Sequence, residues 1–192
     1  QPVGPHAARI TAESEEYREQ LTGLLWLQNR HLPKPFALSL PDASMDYRGR
    51  IRVTFQSPDD SVGLAIIDAT SATTAGDVIS TAAANMGGVP KSVADLLSGS
   101  NAIIECELLE INDQGKETLL PPRGEWPLKR VVKGWQLQLI RAALEGEPTT
   151  EAGFVLRAKG GTALYTALST EGERLAASGG KKKKGGWFKK KK

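Results

Sequence analysis

One cysteine, two histidines and no long apolar run in 192 residues exclude several classes of protein at once. A single cysteine leaves no internal disulfide, and a reducing compartment fits that usage. Cys106 lies in Ile103-Ile104-Glu105-Cys106-Glu107-Leu108-Leu109, where a small buried hydrophobe is the expected role rather than a nucleophile. His6 and His31 have no Cys, Asp or Glu neighbour at ligand spacing, so no metal site is expected. No stretch approaches the roughly 20 apolar residues of a membrane-spanning helix. The weakly polar run over residues 71–89 is mostly Ala, Thr, Ser and Gly. A Gly-x-Gly-x-x-Gly fingerprint, a phosphate loop and a nucleophile elbow are all missing. The carboxylate pairs Asp59-Asp60 and Glu105-x-Glu107 suit a hairpin turn and a solvated strand face better than acid–base work. Neither catalysis nor a cofactor is therefore expected. The opening, Gln1-Pro2 followed by Gly4-Pro5, has no secretory character and no initiator Met. A segment of a larger, multidomain cytoplasmic protein is the expectation.

Charge is unevenly spread. Eight of the 25 basic residues stand in the last twelve positions, which hold no acid. The remaining 17 basic residues face 22 acidic ones, a net charge of −5 over residues 1–180 against +3 for the whole chain. The body is acidic and the tail strongly basic, so the two act on partners separately.

Residues 1–9, with Pro2, Gly4 and Pro5, read as a disordered lead-in. An amphipathic helix is expected over residues 10–32. Thr11 or Ser14 can cap it, and Glu13, Glu15 and Glu16 favour the positive end of its dipole. Tyr17, Leu21, Leu24, Leu25 and Trp26 form its apolar stripe, and Pro33 and Pro35 stop it. Such a stripe suits packing on the following domain or, alternatively, a separate partner.

Residues 50–56 alternate strictly, with Ile51, Val53 and Phe55 on one face. A turn by composition at residues 57–61 and a second apolar strand over residues 62–67 complete a hairpin. Thr73 or Thr74 can cap a helix running to about Met86, with Val78, Ile79, Ala82 and Ala83 inward and Gly87-Gly88 at its end. Strands are expected over residues 102–111 and 117–120, with a turn at residues 112–115. One turn of helix near residues 128–132 and a fifth strand over the alternating residues 135–140 follow. The order is that of an α+β fold, a ubiquitin-like β-grasp roll with a mixed sheet and one packed helix. Residues 146–150 read as a loop, residues 153–157 as a further strand and residues 163–177 as a weak helix.

Ile51-Arg52-Val53-Thr54-Phe55 and Ser61-Val62-Gly63-Leu64-Ala65-Ile66-Ile67, running on through Asp68-Ala69-Thr70-Ser71-Ala72-Thr73-Thr74-Ala75-Gly76-Asp77-Val78-Ile79, resemble the start of Ras-association domains. Glu117-Thr118-Leu119-Leu120-Pro121-Pro122-Arg123-Gly124-Glu125-Trp126-Pro127-Leu128 resembles that family's closing Leu-Pro element, and Phe154-Val155-Leu156-Arg157 its trailing Phe-x-Leu-Arg. Related folds such as the first lobe of FERM domains share these motifs. The domain is taken as residues 48–157, with a C-terminal extension over residues 158–180. The resemblance implies a signalling module that binds a Ras-family small GTPase (Ras or Rap type) in the GTP state. The second strand would add itself to the GTPase's switch strand through main-chain hydrogen bonds. Basic groups would orient the acidic switch surface. The implied contact residues are Arg50, Arg52, Val62, Gly63, Leu64, Ala65, Ile66 and Lys91. Residues 62–67 contain no Lys or Arg, and neither does the helix after them. The alternative is a scaffold or intramolecular assembly lobe that binds no GTPase.

The tail over residues 181–192 consists of Lys181, Lys182, Lys183 and Lys184, then Gly185-Gly186-Trp187-Phe188, then Lys189, Lys190, Lys191 and Lys192. Near an anionic leaflet each lysine is worth about 1 kcal/mol. Trp187 and Phe188 suit the headgroup depth. Peripheral contact with the plasma membrane is the first reading. Non-specific phosphate binding and an inert or artificial extension are the others.

Overall fold

In a computed structural model of the protein, the alternating segment around Ile51, Val53 and Phe55 is strand β1 (Arg48–Gln56). Residues 5–56, 62–85, 91–98, 101–112, 115–145 and 153–177 are described. Strand β2 (Val62–Thr70) pairs antiparallel with β1, matching Ile51 to Ile67 and Val53 to Ala65. Helix α2 (Ala75–Ala84) follows. Thr74 caps it reciprocally: the Thr74 Oγ1 accepts the Asp77 amide at 3.2 Å, and Asp77 Oδ2 accepts the Thr74 amide at 2.9 Å. Helices α3 (Lys91–Leu96) and α4 (Asn101–Glu105), then strands β3 (Cys106–Ile111) and β4 (Glu117–Leu120), lead to the long helix α5 (Pro127–Glu145). Strand β5 (Gly153–Ala158) and helix α6 (Ala163–Ala177) come last, and helix α1 (Pro5–Asn29) precedes them all.

The five strands form one mixed sheet in the order β2-β1-β5-β3-β4, with β5 parallel to β1 and antiparallel to β3. One row of inward positions crosses every strand: Gly63, Phe55, Leu156, Leu108 and Leu120. Val78, Ile79, Ala82 and Ala83 of α2 belong to the same buried cluster. This is the α+β, ubiquitin-like β-grasp expected from the sequence. Gly76 permits the close fit of α2: its amide donates to the Pro122 carbonyl at 3.0 Å, and a Cβ would stand 3.1 Å from that oxygen.

Three local expectations are corrected. The fifth strand is not residues 135–140, which lie inside α5; it is Gly153–Ala158. Leu128, Val132 and Trp135 are all buried, so a helical stripe ran through a stretch that also alternates at period two. Pro127, preset for the first helical position, starts α5 well before the expected strand. The strand expected over residues 102–111 begins only at Cys106, because residues 101–105 close one helical turn. Lys159 holds that turn, its Nζ donating to the Ile103 and Ile104 carbonyls at 2.8 and 2.9 Å. Finally, the expected lead-in is helical from Pro5. The expected hairpin turn at residues 57–61, the Gly87-Gly88 stop, the loop at residues 146–150 and the tail lie outside the described residues.

Helix α1 and helix α6 both enter the core, through Leu21 and Leu25 and through Leu164 and Leu168. The Asn29 side chain clamps the chain after α1, accepting from the Leu38 amide and donating to its carbonyl, each at 2.7 Å. Leu38 then packs so close to β1 that a Cβ on Gly49 would collide with its Cδ2. The apolar stripe expected on α1 is thereby narrowed. Tyr17 and Trp26 are exposed, and Arg30 lies over the Trp26 ring at 5.0 Å. Gln28 takes the inward place instead and is 1% exposed, its Oε1 without a hydrogen-bond partner. An unpaired buried acceptor costs about 1–3 kcal/mol. Gln28→Met, close in volume, is therefore expected to raise the thermal midpoint by roughly 2–4 °C per kcal/mol recovered. An unchanged or lower midpoint in a calorimetric scan refutes that assignment.

Burial also sets an alkaline limit. Desolvation pushes the Cys106 thiol up to about 12 and, with Tyr17 adding repulsion, the Tyr47 phenol up to about 12. In the unfolded chain these groups titrate near ~8.5 and ~10. The folded state holds both protons more tightly. Its stability is complete below the unfolded values and falls as pH rises through them toward 12. Urea midpoints are expected to drop between pH 8 and pH 11, and less steeply in Tyr47→Phe/Cys106→Ala. Equal slopes for the two proteins would exclude these residues as the cause.

Candidate functional site

The sheet has two edges, and they differ. β4 is four residues long, whereas β2 runs for nine. Along β2, Ala65, Ile67 and Ala69 are buried with Gly63, so period two turns Leu64, Ile66 and Asp68 to the outer face. Leu64 is 46% exposed and Ile66 52%. Natural edge strands are blunted by Lys, Pro, bulges or shortness. β2 contains neither Lys nor Pro and pairs with β1 in unbroken register from end to end. It presents a long main-chain edge beside exposed aliphatic side chains.

The outer face of β1 lies next to this edge. Arg48, Arg50 and Arg52 occupy successive outward positions opposite Thr70, Asp68 and Ile66. Arg50 Nε donates to Asp68 Oδ1 at 2.9 Å, a pair with both partners well exposed, and so of little energetic weight. The Arg52 guanidinium sits 5.1 Å from the centroid of the Phe36 ring, in the 3-10 turn Lys34–Phe36. That turn brings Lys34 alongside. Lys34, Pro35, Ala37, Leu38 and Ser39 line an open cleft together with Arg48, Gly49, Arg50, Asp68, Ala69 and Thr70. Among the described residues, no carboxylate pairs with Lys34 or Arg48.

The rest of the outer face is balanced. Arg157 on β5 donates to Glu107 at 2.8 Å and reaches Glu117 at 3.3 Å, so strands β3 to β5 tie their charges among themselves. The hydrogen bond it donates to Glu107 is the main reason the Arg157 guanidinium is held above its ordinary range. On the outer face of the sheet, among the described residues, the excess of positive charge therefore lies beside β2, although the body of the chain is acidic.

No protein-family model matches the chain, and no curated protein matches it.

Of the expected contact residues, Arg50, Arg52, Gly63, Leu64, Ala65 and Ile66 lie on one sheet edge or the adjoining strand. Gly63 and Ala65 face inward, so only their main chain could meet a partner. Val62 begins β2, and its side chain lies outside the described residues, as does that of Lys91. Lys91 opens α3, which packs against α4 and α6. The tail residues Lys181 to Lys184, Trp187, Phe188 and Lys189 to Lys192 lie outside the described residues. Lys34 and Arg48 were not singled out from the sequence. Arg48 could have been found by extending the alternation of β1 backwards by one step. Lys34 could not, because its place beside β1 is set by the clamp of Asn29 on Leu38.

Proposed function

We propose that this domain is a non-enzymatic signalling module that binds a GTP-loaded Ras-family small GTPase, of Ras or Rap type. The partner's exposed switch strand would extend the sheet at β2. The observation that carries the reading is the unblunted nine-residue edge with Leu64 and Ile66 exposed, next to a row of arginines. Main-chain pairing supplies a sequence-tolerant contact, and alternate side chains read the partner. Arg48, Arg50, Arg52 and Lys34 lend the steering that β2 itself lacks, since an acidic switch surface meets cations just inside the edge. Selectivity for the GTP state follows from the partner, whose switch strand is ordered by the terminal phosphate. The lysines of residues 181–192 would add recruitment to anionic membranes.

Calorimetric titration against Ras- and Rap-type GTPases, loaded with a non-hydrolysable GTP analogue or GDP, tests this. The GTP form is expected to bind, the GDP form is not, and Arg52→Glu is expected to weaken binding by at least tenfold. Silence across the panel, or equal binding of both nucleotide states, removes the reading and leaves the scaffold lobe in its place.

A further inference from the structure

The start of α5 carries a second exposed surface, independent of the sheet edge. Leu128 turns inward and is fully buried, and Val132 and Trp135 follow it into the interior. The opposite face is set by the same period. Trp126, Lys129, Lys133 and Gln136 fall at spacings of three, four and three residues, and all are exposed. Arg123, in the loop before the helix, is exposed as well. The Lys129 ammonium lies 4.9 Å from the centroid of the Trp126 ring, which is 39% exposed. The nearest acid in the chain, Glu125, is engaged by Arg130 at 3.2 Å, and Arg130 is also bound by Glu110. Among the described residues, no carboxylate pairs with Arg123, Lys129 or Lys133.

Two lysines and an indole on one exposed helix face, with an exposed arginine in the loop just before it and Glu125 held by Arg130, match the two chemistries of an anionic bilayer surface. Lysines and arginines gain from its negative potential, and a tryptophan ring settles at the headgroup boundary. One face of the ring is already capped by an ammonium, which leaves its edge for lipid and disfavours stacking on a base. We propose that Arg123, Trp126, Lys129 and Lys133 form a lipid-facing patch that seats the folded domain on anionic membranes. Because its cations are held by the fold, the patch would set the orientation of the domain, which a polybasic segment alone cannot do.

The test is sedimentation of the full chain with vesicles of phosphatidylcholine containing about one-third phosphatidylserine. Each lysine near such a surface is worth roughly fivefold in partitioning. Lys129→Glu/Lys133→Glu is expected to lower it by about 30-fold or more, Lys129→Arg/Lys133→Arg to leave it intact, and Trp126→Ala to lower it several-fold. Unchanged thermal midpoints show that the fold is kept. Partitioning unaffected by the charge reversal overturns the patch, leaving residues 181–192 as the whole attraction. Equal sedimentation with pure phosphatidylcholine also overturns it. So does a single-stranded oligonucleotide bound more tightly than the vesicles with the same lysine dependence. No GTPase is present, so the result stands apart from the fate of the sheet-edge reading.

Discussion

If the proposed pairing at β2 holds, Leu64→Asp/Ile66→Asp is expected to lower affinity for the GTP-loaded GTPase by at least 100-fold, while the thermal midpoint moves by only a few degrees. Both side chains lie about half exposed on the outer face of an edge strand, opposite Thr54 and Arg52. In the free domain the new carboxylates stay in water, and that at position 66 faces the strand bearing Arg52, so the fold loses little. In the complex both would be covered by the added strand and would face an acidic switch surface. A buried, unpaired charge costs several kcal/mol, and each ~1.4 kcal/mol is tenfold in affinity. Titration of this variant beside the wild type reads the difference directly. Retained affinity with an intact fold would place the partner elsewhere on the domain and rule out pairing at β2.

Leu25→Ala and Trp26→Ala, one residue apart, are expected to give opposite results. Leu25 is 0% exposed and belongs to the central cluster, whereas Trp26 is 57% exposed with Arg30 over its ring. Truncating a buried leucine removes its transfer energy and leaves a cavity, together about 2–5 kcal/mol. Trp26 forfeits only an exposed cation–π contact, about 0.5–1 kcal/mol. A domain of this size has some 5–15 kcal/mol in all. Leu25→Ala is therefore expected to lower the urea midpoint sharply, and Trp26→Ala barely. Comparable small losses would mean that α1 is an appendage instead of part of the core. If Trp26→Ala proved the more damaging, the exposed face of α1 would be the one that docks.

The hairpin and its helix were legible in the sequence because their signals are local. Ile51, Val53 and Phe55 declare one face of a strand. Thr73 or Thr74 offers a helix start, and the structure selects Thr74 through its reciprocal cap with Asp77. The segment around Trp135 was not legible in the same way. Six alternating residues satisfy a strand, yet Leu128, Val132 and Trp135 satisfy a helix, and a short apolar stretch can carry both periods. The helix is the one that buries all three, and the fifth strand passes to Phe154 and Leu156, which fill the middle of the sheet between Val53 and Leu108. Gln28 is the opposite case. A polar residue seven positions after Leu21 and three after Leu25 shares their helical face and sits in the interior, while Trp26 is left in water.

Local pattern alone settled the alternation of β1, the apolar run of β2, a capped helix after them, the acidic body and the basic tail, since each depends on neighbours a few residues apart. Which strand forms the edge is decided by long-range pairing: β5, more than 90 residues after β1, takes the central place between β1 and β3 and leaves β2 outermost. The cations beside that edge are gathered in the same way. Arg50 and Arg52 follow from the period of β1, but Lys34 reaches them only because Asn29 and Leu38 fold the chain back onto the strand. Charge that is scattered along the chain becomes a surface only when tertiary contacts bring its parts to one side of the sheet.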